Sequence, residues 1–315
     1  MGRYIATRIL TACLTIWGVA TIVFLLMHLI PGGIVEALAG PAVSQRPELV
    51  ARIMEKYGLD QPLIVQYGKW LGNALRGDLG VSLGTNLPIM DEIVRKGRIT
   101  IELAGAATLV SLLIGVPMGL LAALRSRSGV DGFVRITALV GLSIPDFVLG
   151  TLLIYFVSTR DIGLPVSQYI PWSDGVGGHV KSMVMPTFVL AVGITAVVMR
   201  VIRASMLDVL NEPYVVTARA KGVRERMVIT RHVLRAALIP TVTIVGINMG
   251  YLLSGAIIVE QLFSVPGLGR YAIQGILGRD YPVAQATVVV GTLAFVLANL
   301  VTDILYAYLD PRIKY

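Results

Sequence analysis

Residues 100–124 read TIELAGAATLVSLLIGVPMGLLAAL, and Glu102 is the one charge among them. A helix that crosses the hydrocarbon of a bilayer needs about 20 apolar residues. It must be a helix because lipid offers backbone N–H and C=O groups no partner. Five further runs meet the same test: 9–30, 134–158, 183–206, 239–260 and 284–308. Pro117, Pro145 and the glycines Gly115 and Gly246 inside these runs do not argue against helix, since membrane helices tolerate both residue types. The sequence predicts an all-α integral membrane protein with six transmembrane helices.

Composition agrees. Of 315 residues 55% are hydrophobic and only 15% charged, against about 25% charged in soluble domains. So few charges cannot solvate the surface of a soluble enzyme, and so much apolar mass excludes a disordered chain. The formal charge is +8. A lone Cys13 excludes a disulfide scaffold and a four-thiolate zinc site. The first run follows Arg3 and Arg8 as a signal peptide's would, and Ala37-Leu38-Ala39 mimics a cleavage site. That run is too long for a signal core and the site lies far past its end, so we read a retained helix.

The short loops set the orientation. One side carries Arg3, Arg8, Arg125, Arg127, Arg135, Arg200, Arg203, Arg219, Lys221, Arg224, Arg226, Arg231, Arg235, Arg312 and Lys314. The other carries Arg160, Lys181, Arg270 and Arg279, apart from the long segment 31–98, which translocates with little regard to charge. Both termini are therefore expected in the cytoplasm. The basic residues decorate one membrane face, which accounts for the positive charge without nucleic acid.

The chain divides into 1–30, the N-terminus and first span; 31–98, an external helical segment; and 99–315, a five-helix core with a cytoplasmic loop at 207–238. Within 31–98, Leu49, Val50, Ile53, Met54 and Tyr57 recur at helical spacing after Pro47, with Gly58 as a stop. A second helix starts at Pro62 and carries Tyr67, Trp70 and Leu71 on one face. These read as a small cap over the outer mouth, or as a structural loop lying on the membrane. In 207–238 a helix begins near Pro213 and stops at Gly222, two to three turns that are marginal alone in water. A short basic helix held between two spans suits docking into a partner's groove, though the residues alone favour an idle surface helix.

Catalytic patterns are missing. A phosphate loop needs Gly-x4-Gly-Lys-Ser/Thr, but Gly68-Lys69 is followed by Trp70 and preceded by Leu63 where the first glycine belongs. His28, His179 and His232 lie in separate segments, and Gly141-Leu142-Ser143-Ile144-Pro145 fails as a nucleophile elbow at its last position. The remaining clues are charges within apolar runs, each costing roughly 2.5–3.5 kcal/mol at mid-bilayer. Asp146 falls in the middle of the third run beside Ser143 and Pro145, facing a substrate's cationic group or paired within the bundle. Asn248 lines a pathway or bonds a neighbouring helix. Glu102, Glu260 and Asp303 read as anchors or ion-pair partners at span ends.

A set of short tags then repeats a known order. Tyr57-Gly58-Leu59-Asp60-Gln61-Pro62-Leu63, Gly77-Asp78-Leu79-Gly80, Gly115-Val116-Pro117-Met118-Gly119, Ser143-Ile144-Pro145, Arg203-Ala204-Ser205-Met206-Leu207, Pro266-Gly267-Leu268-Gly269, Arg279-Asp280-Tyr281-Pro282 and Asp310-Pro311-Arg312-Ile313 occur in sequence. Over nearly its whole length the chain resembles the inner-membrane permease subunits of ABC importers, in the dipeptide, oligopeptide and nickel branch with a long first external loop.

The resemblance implies a coupling helix at 213–235, with Tyr214, Thr217, Ala218, Arg219, Ala220, Lys221, Gly222 and His232 as the residues that meet an ATPase. The wider superfamily reads Glu-Ala-Ala, three residues, Gly, nine residues, then Ile-x-Leu-Pro. Here Val216-Thr217-Ala218 stands for the first triplet, Gly222 is kept, and His232-x-Leu234-Arg235 replaces the last group. Ser143, Pro145, Asp146 and Asn248 become candidates for the translocation path. The implied partners are a second homologous permease, two ATPase subunits, an extracytoplasmic solute-binding protein and membrane lipid. ATP and Mg would sit on the ATPases, so this chain would hold no cofactor and catalyse nothing itself. It would lie in the bacterial inner membrane and import peptides. Nickel chelates, glutathione or another small solute are the alternatives within that machine, and a stand-alone channel or secondary transporter is the alternative outside it.

Overall fold

The computed structural model describes residues 2–29, 47–57, 59–160 and 162–309. Gly58, the Ala37-Leu38-Ala39 pattern, Arg312, Lys314 and the Asp310–Ile313 tag lie outside the described residues.

The chain is helical throughout: α1 (Gly2–Leu29), α2 (Pro47–Tyr57), α3 (Leu63–Leu75), α4 (Ile89–Leu124), α5 (Gly129–Ser143), α6 (Asp146–Arg160), α7 (Val176–Leu210), α8 (Pro213–Ala220), α9 (Glu225–Leu253), α10 (Ile257–Leu262), α11 (Leu268–Leu277) and α12 (Tyr281–Leu309). Among the described residues the one β contact is an isolated bridge between Val81 and Pro88.

Five of these helices, α1, α4, α7, α9 and α12, are long and apolar enough to span a membrane. The third expected span, 134–158, is not one straight helix. It consists of α5 and α6, bent by 97°. Pro145 supplies no N–H and restricts the residue before it, and Ile144 is held at φ −88°, ψ 117°, outside the helical region. The fifth expected span, 239–260, also stops early. Its helix ends at Leu253, the chain turns at Gly255 with φ of 119°, and Glu260 belongs to the separate turn α10.

α7 is the organising helix and packs on α4, α5, α6 and α9. Val189, Val198, Ile202 and Met206 on it are fully buried. The Gly115–Gly119 tag is explained here. A Cβ on Gly115 would stand 2.8 Å from Val198 Cγ1, and one on Gly119 would stand 2.8 Å from the Met199 carbonyl oxygen. Two glycines one turn apart let α4 and α7 approach at backbone distance, as membrane interfaces favour. Gly246 plays the same part between α9 and α12, where a Cβ would collide with Thr302.

α1 packs on α12, and Arg8 pairs with Asp303 between them at 3.2 Å. α3 leans on α1: the Thr21 and Tyr67 hydroxyls meet at 2.6 Å, and Phe24 packs against the rings of Tyr67 and Trp70. Leu10, Leu14, Ile22 and Leu26 on α1 and Leu297, Val301 and Leu305 on α12 are exposed. Such continuous apolar faces suit lipid or a second membrane subunit.

Candidate functional site

α7 ends at Leu210, and Glu212 turns extended at φ −68°, ψ 142°, as a residue before proline must. Pro213 then opens α8 at the first helical position, where its missing N–H costs nothing. The Thr217 hydroxyl donates to the Pro213 carbonyl at 2.8 Å. The end of α8 is set by Gly222, whose φ of 73° lies in the left-handed region. The Val223 N–H donates to the Ala218 carbonyl at 3.2 Å and the Lys221 N–H to the Thr217 carbonyl at 3.0 Å, which satisfies the last carbonyls. Nothing crowds the place where a Gly222 Cβ would stand, so backbone conformation and not space selects glycine.

One residue anchors α8 and the rest present it. Val215 is fully buried in the core that holds Val228 and Val233. Tyr214, Val216, Thr217, Arg219, Ala220, Lys221 and Gly222 are exposed, and Ala218 is half-buried. His232 sits half-buried on a π-helical segment, Val228–Val233, near the start of α9, which packs against α8. The structure thus gathers the whole expected set on one short helix, its cap and the wide turn behind it. The structure adds two features to that set. Arg219 is not free but clasps Glu225 through Nε at 3.1 Å and through its terminal nitrogen at 2.7 Å. That clasp closes the turn between α8 and α9. Val216, 56% exposed, joins Tyr214 in an apolar face beside the charges.

The expected path residues fall in two places. Ser143, Pro145 and Asp146 occupy the elbow between α5 and α6, with the Ser143 hydroxyl donating to the Leu139 carbonyl at 2.8 Å. Asp146 is in the first turn of α6 and exposed, at the bend between α5 and α6. Asn248 is on α9, its side-chain amide donating to the Ile244 carbonyl at 2.8 Å. α7 packs on both regions.

The opposite end of the bundle is tied by buried carboxylates. Glu260, fully buried, accepts from the Thr100 hydroxyl at 2.8 Å and from the Arg270 N–H at 2.9 Å, and the Leu268 N–H donates to Thr100 Oγ1 at 2.8 Å. The carboxylate fills the N-terminus of α11, which is why the Pro266–Gly269 tag needs glycine: a Cβ on Gly267 would collide with it. Burial holds the Glu260 carboxyl above its ordinary range, against the pull of these donors. Asp280, from the Arg279–Pro282 tag, accepts from the Ser82 hydroxyl at 2.6 Å and the Gly84 N–H at 3.2 Å. Glu102 meets His179 Nε2 at 2.7 Å and accepts from Trp172 Nε1 at 3.2 Å, with the Trp172 ring stacked on His179. Glu102, Glu260 and Asp303 are thus partnered, and no group of acidic residues, histidines and cysteines among the described residues could hold a metal ion.

Comparisons with known proteins agree with this anatomy. The family described as "Binding-protein-dependent transport system inner membrane component" matches residues 115–315, and its N-terminal companion matches residues 1–104. The probable peptide ABC transporter permease protein y4tP of Sinorhizobium fredii is 37% identical over all 315 residues, with both chains covered fully. The oligopeptide transport system permease protein AppB of Bacillus subtilis and the glutathione transport system permease protein GsiC of Escherichia coli K12 are each 37% identical, again at full coverage of both chains. Among solved structures, the inward-facing MetNI methionine ABC transporter superposes with a TM-score of 0.55 at 20% identity, over 70% of this chain and 97% of that one.

Proposed function

The chain belongs to the family of binding-protein-dependent transport system inner membrane components, and from that premise we propose that it is the permease subunit of an ATP-driven importer of di- and oligopeptides. The observation that carries the reading is α8: a capped two-turn helix with one buried anchor, presented between two spans. Such a helix is built to be pushed. A helix that merely closed a loop would need neither the exposed Tyr214–Val216 face nor the Arg219–Glu225 clasp that stiffens its exit.

In this reading an ATPase groove receives Tyr214, Thr217, Ala218, Arg219, Ala220, Lys221 and Gly222, with His232 behind them. Two ATPases, holding ATP and Mg, close on one another and draw this coupling helix toward that of a second permease. α7 leads into α8 across only Asn211 and Glu212, so the motion passes at once to the most buried helix. A ligand shifts such an equilibrium only by binding one state better. ATP inside and a loaded binding protein outside must therefore favour the same conformer. The basic residues Arg219, Lys221 and Arg224 in and just after α8 support a cytosolic side for that end, and the excess of arginine and lysine in the loops on that side supports cytoplasmic termini. Ser143, Pro145, Asp146 and Asn248 remain the path candidates, and the 31–98 segment faces the binding protein.

The test is uptake by the assembled complex in proteoliposomes. Labelled di- to hexapeptides are expected to accumulate only with ATP on the α8 side and binding protein on the other. Flux from this chain alone would overturn the proposal. Glutathione is the second reading, favoured by full-length relatives of that name. It becomes the better one if glutathione, and not peptides, saturates uptake.

A further inference from the structure

A cavity of about 630 Å³ opens between α5 and α7, lined by Gly132, Arg135, Ile136, Leu139, Arg200, Arg203 and Ala204. We propose that it holds the phosphate headgroup of an anionic glycerophospholipid, with an acyl chain running down α5.

Depth is the first argument. α7 carries no charge from Ser182 to Met199. Eighteen helical residues rise about 27 Å, which matches the roughly 30 Å of bilayer hydrocarbon. Lys181 and Arg200 therefore mark the two headgroup levels, and the cavity mouth lies at one of them.

Charge is the second. Three guanidiniums meet one carboxylate. Asp131 is 2% exposed and fully engaged: Arg203 donates to it through both Nε and a terminal nitrogen, the latter at 2.8 Å, and the Arg127 N–H adds a bond at 3.0 Å. Asp131 thus orients Arg203, and it reaches Arg135 only through space, with no hydrogen bond between them. Among the described residues neither of those two makes a hydrogen bond or an ion pair. Two arginines whose N–H donors are unbonded converge on one cavity, and paired guanidinium donors fit the oxygens of a phosphate.

The third is the apolar floor. Ile136 and Leu139, each 64% exposed, lead from Arg135 along α5 toward the membrane interior. A soluble anion uses no such floor, whereas a lipid uses both halves of the site. Basic pockets between spans on the cytoplasmic side are where anionic lipids lodge. From Arg203 to the end of α7 is only seven residues, about 10 Å, so an occupant that staples α5 to α7 steadies the helix that feeds α8.

Native mass spectrometry of the assembled complex, titrated with cardiolipin, phosphatidylglycerol or phosphatidylcholine, tests this. The anionic lipids are expected to be retained over phosphatidylcholine. Arg135→Gln with Arg200→Gln should lower that retention by at least about tenfold, while Arg160→Gln at the other end should not. Millimolar inorganic phosphate should leave retention unchanged, and its displacing the lipid would overturn the lipid as occupant. Ala204→Phe fills the cavity with both charges in place and is expected to give the same loss, which separates occupancy from misfolding. Equal retention of anionic lipid by wild type and both variants overturns the proposal. So does a photo-crosslinker at position 135 that captures protein instead of lipid.

Discussion

Thr100 and Glu260, 160 positions apart in the chain, are joined by a hydrogen bond of 2.8 Å in which the threonine hydroxyl donates to the buried carboxylate. The same carboxylate accepts the Arg270 N–H, so α4, α10 and α11 share one acceptor. Glu260→Ala would strand these donors in a buried site. Each stranded group costs about 1–3 kcal/mol, and the thermal midpoint of the purified complex is expected to fall clearly. An unchanged midpoint would show that the tie carries no load.

Burial also gives Glu260 a pH signature. Its folded carboxyl titrates above the ordinary value of 4.5, so the folded state binds the proton more tightly than the unfolded state. Stability contributed by the neutral carboxyl is present in full below the ordinary value and is lost as pH rises through the raised one. Glu260→Gln cannot ionise. Relative to that variant, the wild type is expected to lose stability as pH climbs above about 4.5, read by chemical denaturation across a pH series. Parallel curves would rule this out.

The glycines of α4 are not equivalent. At Gly119 a Cβ meets the Met199 carbonyl at 2.8 Å and Ile202 Cβ at 2.9 Å, whereas at Gly97 it meets the Leu268 side chain at an ordinary 3.6 Å or more. Gly119→Val is expected to force α4 off α7 at a cost of about 1–3 kcal/mol or more, and to reduce assembled complex in the membrane. Gly97→Ala fits, and in a helix gains up to about 1 kcal/mol over glycine. Loss of assembly in both would contradict the packing described.

Gly222 differs again, since its constraint is the dihedral alone. A β-branched residue there costs about 1–2 kcal/mol of left-handed strain, while asparagine visits that region readily. Gly222→Val should therefore depress peptide uptake and ATPase coupling, and Gly222→Asn should keep most of both. Equal uptake in the two variants would remove the cap from the mechanism.

Asp146→Asn tests the path. The residue is exposed at the start of α6, so assembly should be unaffected. If cationic peptides pass it, their uptake should fall more than that of neutral ones. Identical profiles return Asp146 to the scaffold.

Much of the fold was legible because lipid imposes one rule, a helix about 20 residues long with few charges, and five of the six apolar runs hold such a helix. The breaks were not. Pro117, Pro186 and Pro240 lie inside unbroken helices, while Pro145 ends one; packing around the backbone decides, and no local pattern reports it. The same holds for Gly255, where α9 stops. Pro213 and Gly222 announced α8 because a helix start and stop are local chemistry. The Asp131–Arg203 and Thr100–Glu260 contacts join residues 72 and 160 positions apart, and one sequence carries no sign of such pairings. The glycine tags were visible as patterns, but their cause, a carboxylate or a neighbouring backbone in the missing side chain's place, needed three dimensions.

α7 runs 35 residues without interruption, a rod about 52 Å long. His179, stacked under Trp172, is near one tip, and the coupling turn begins at the other. In the proposed assembly, a lever of that length would turn a tilt of about 5° at the α8 end into a sweep of about 4–5 Å at the far tip. Motion imposed on α8 would then reach the opposite end of α7 as simple leverage, with no relay of side-chain rearrangements between them.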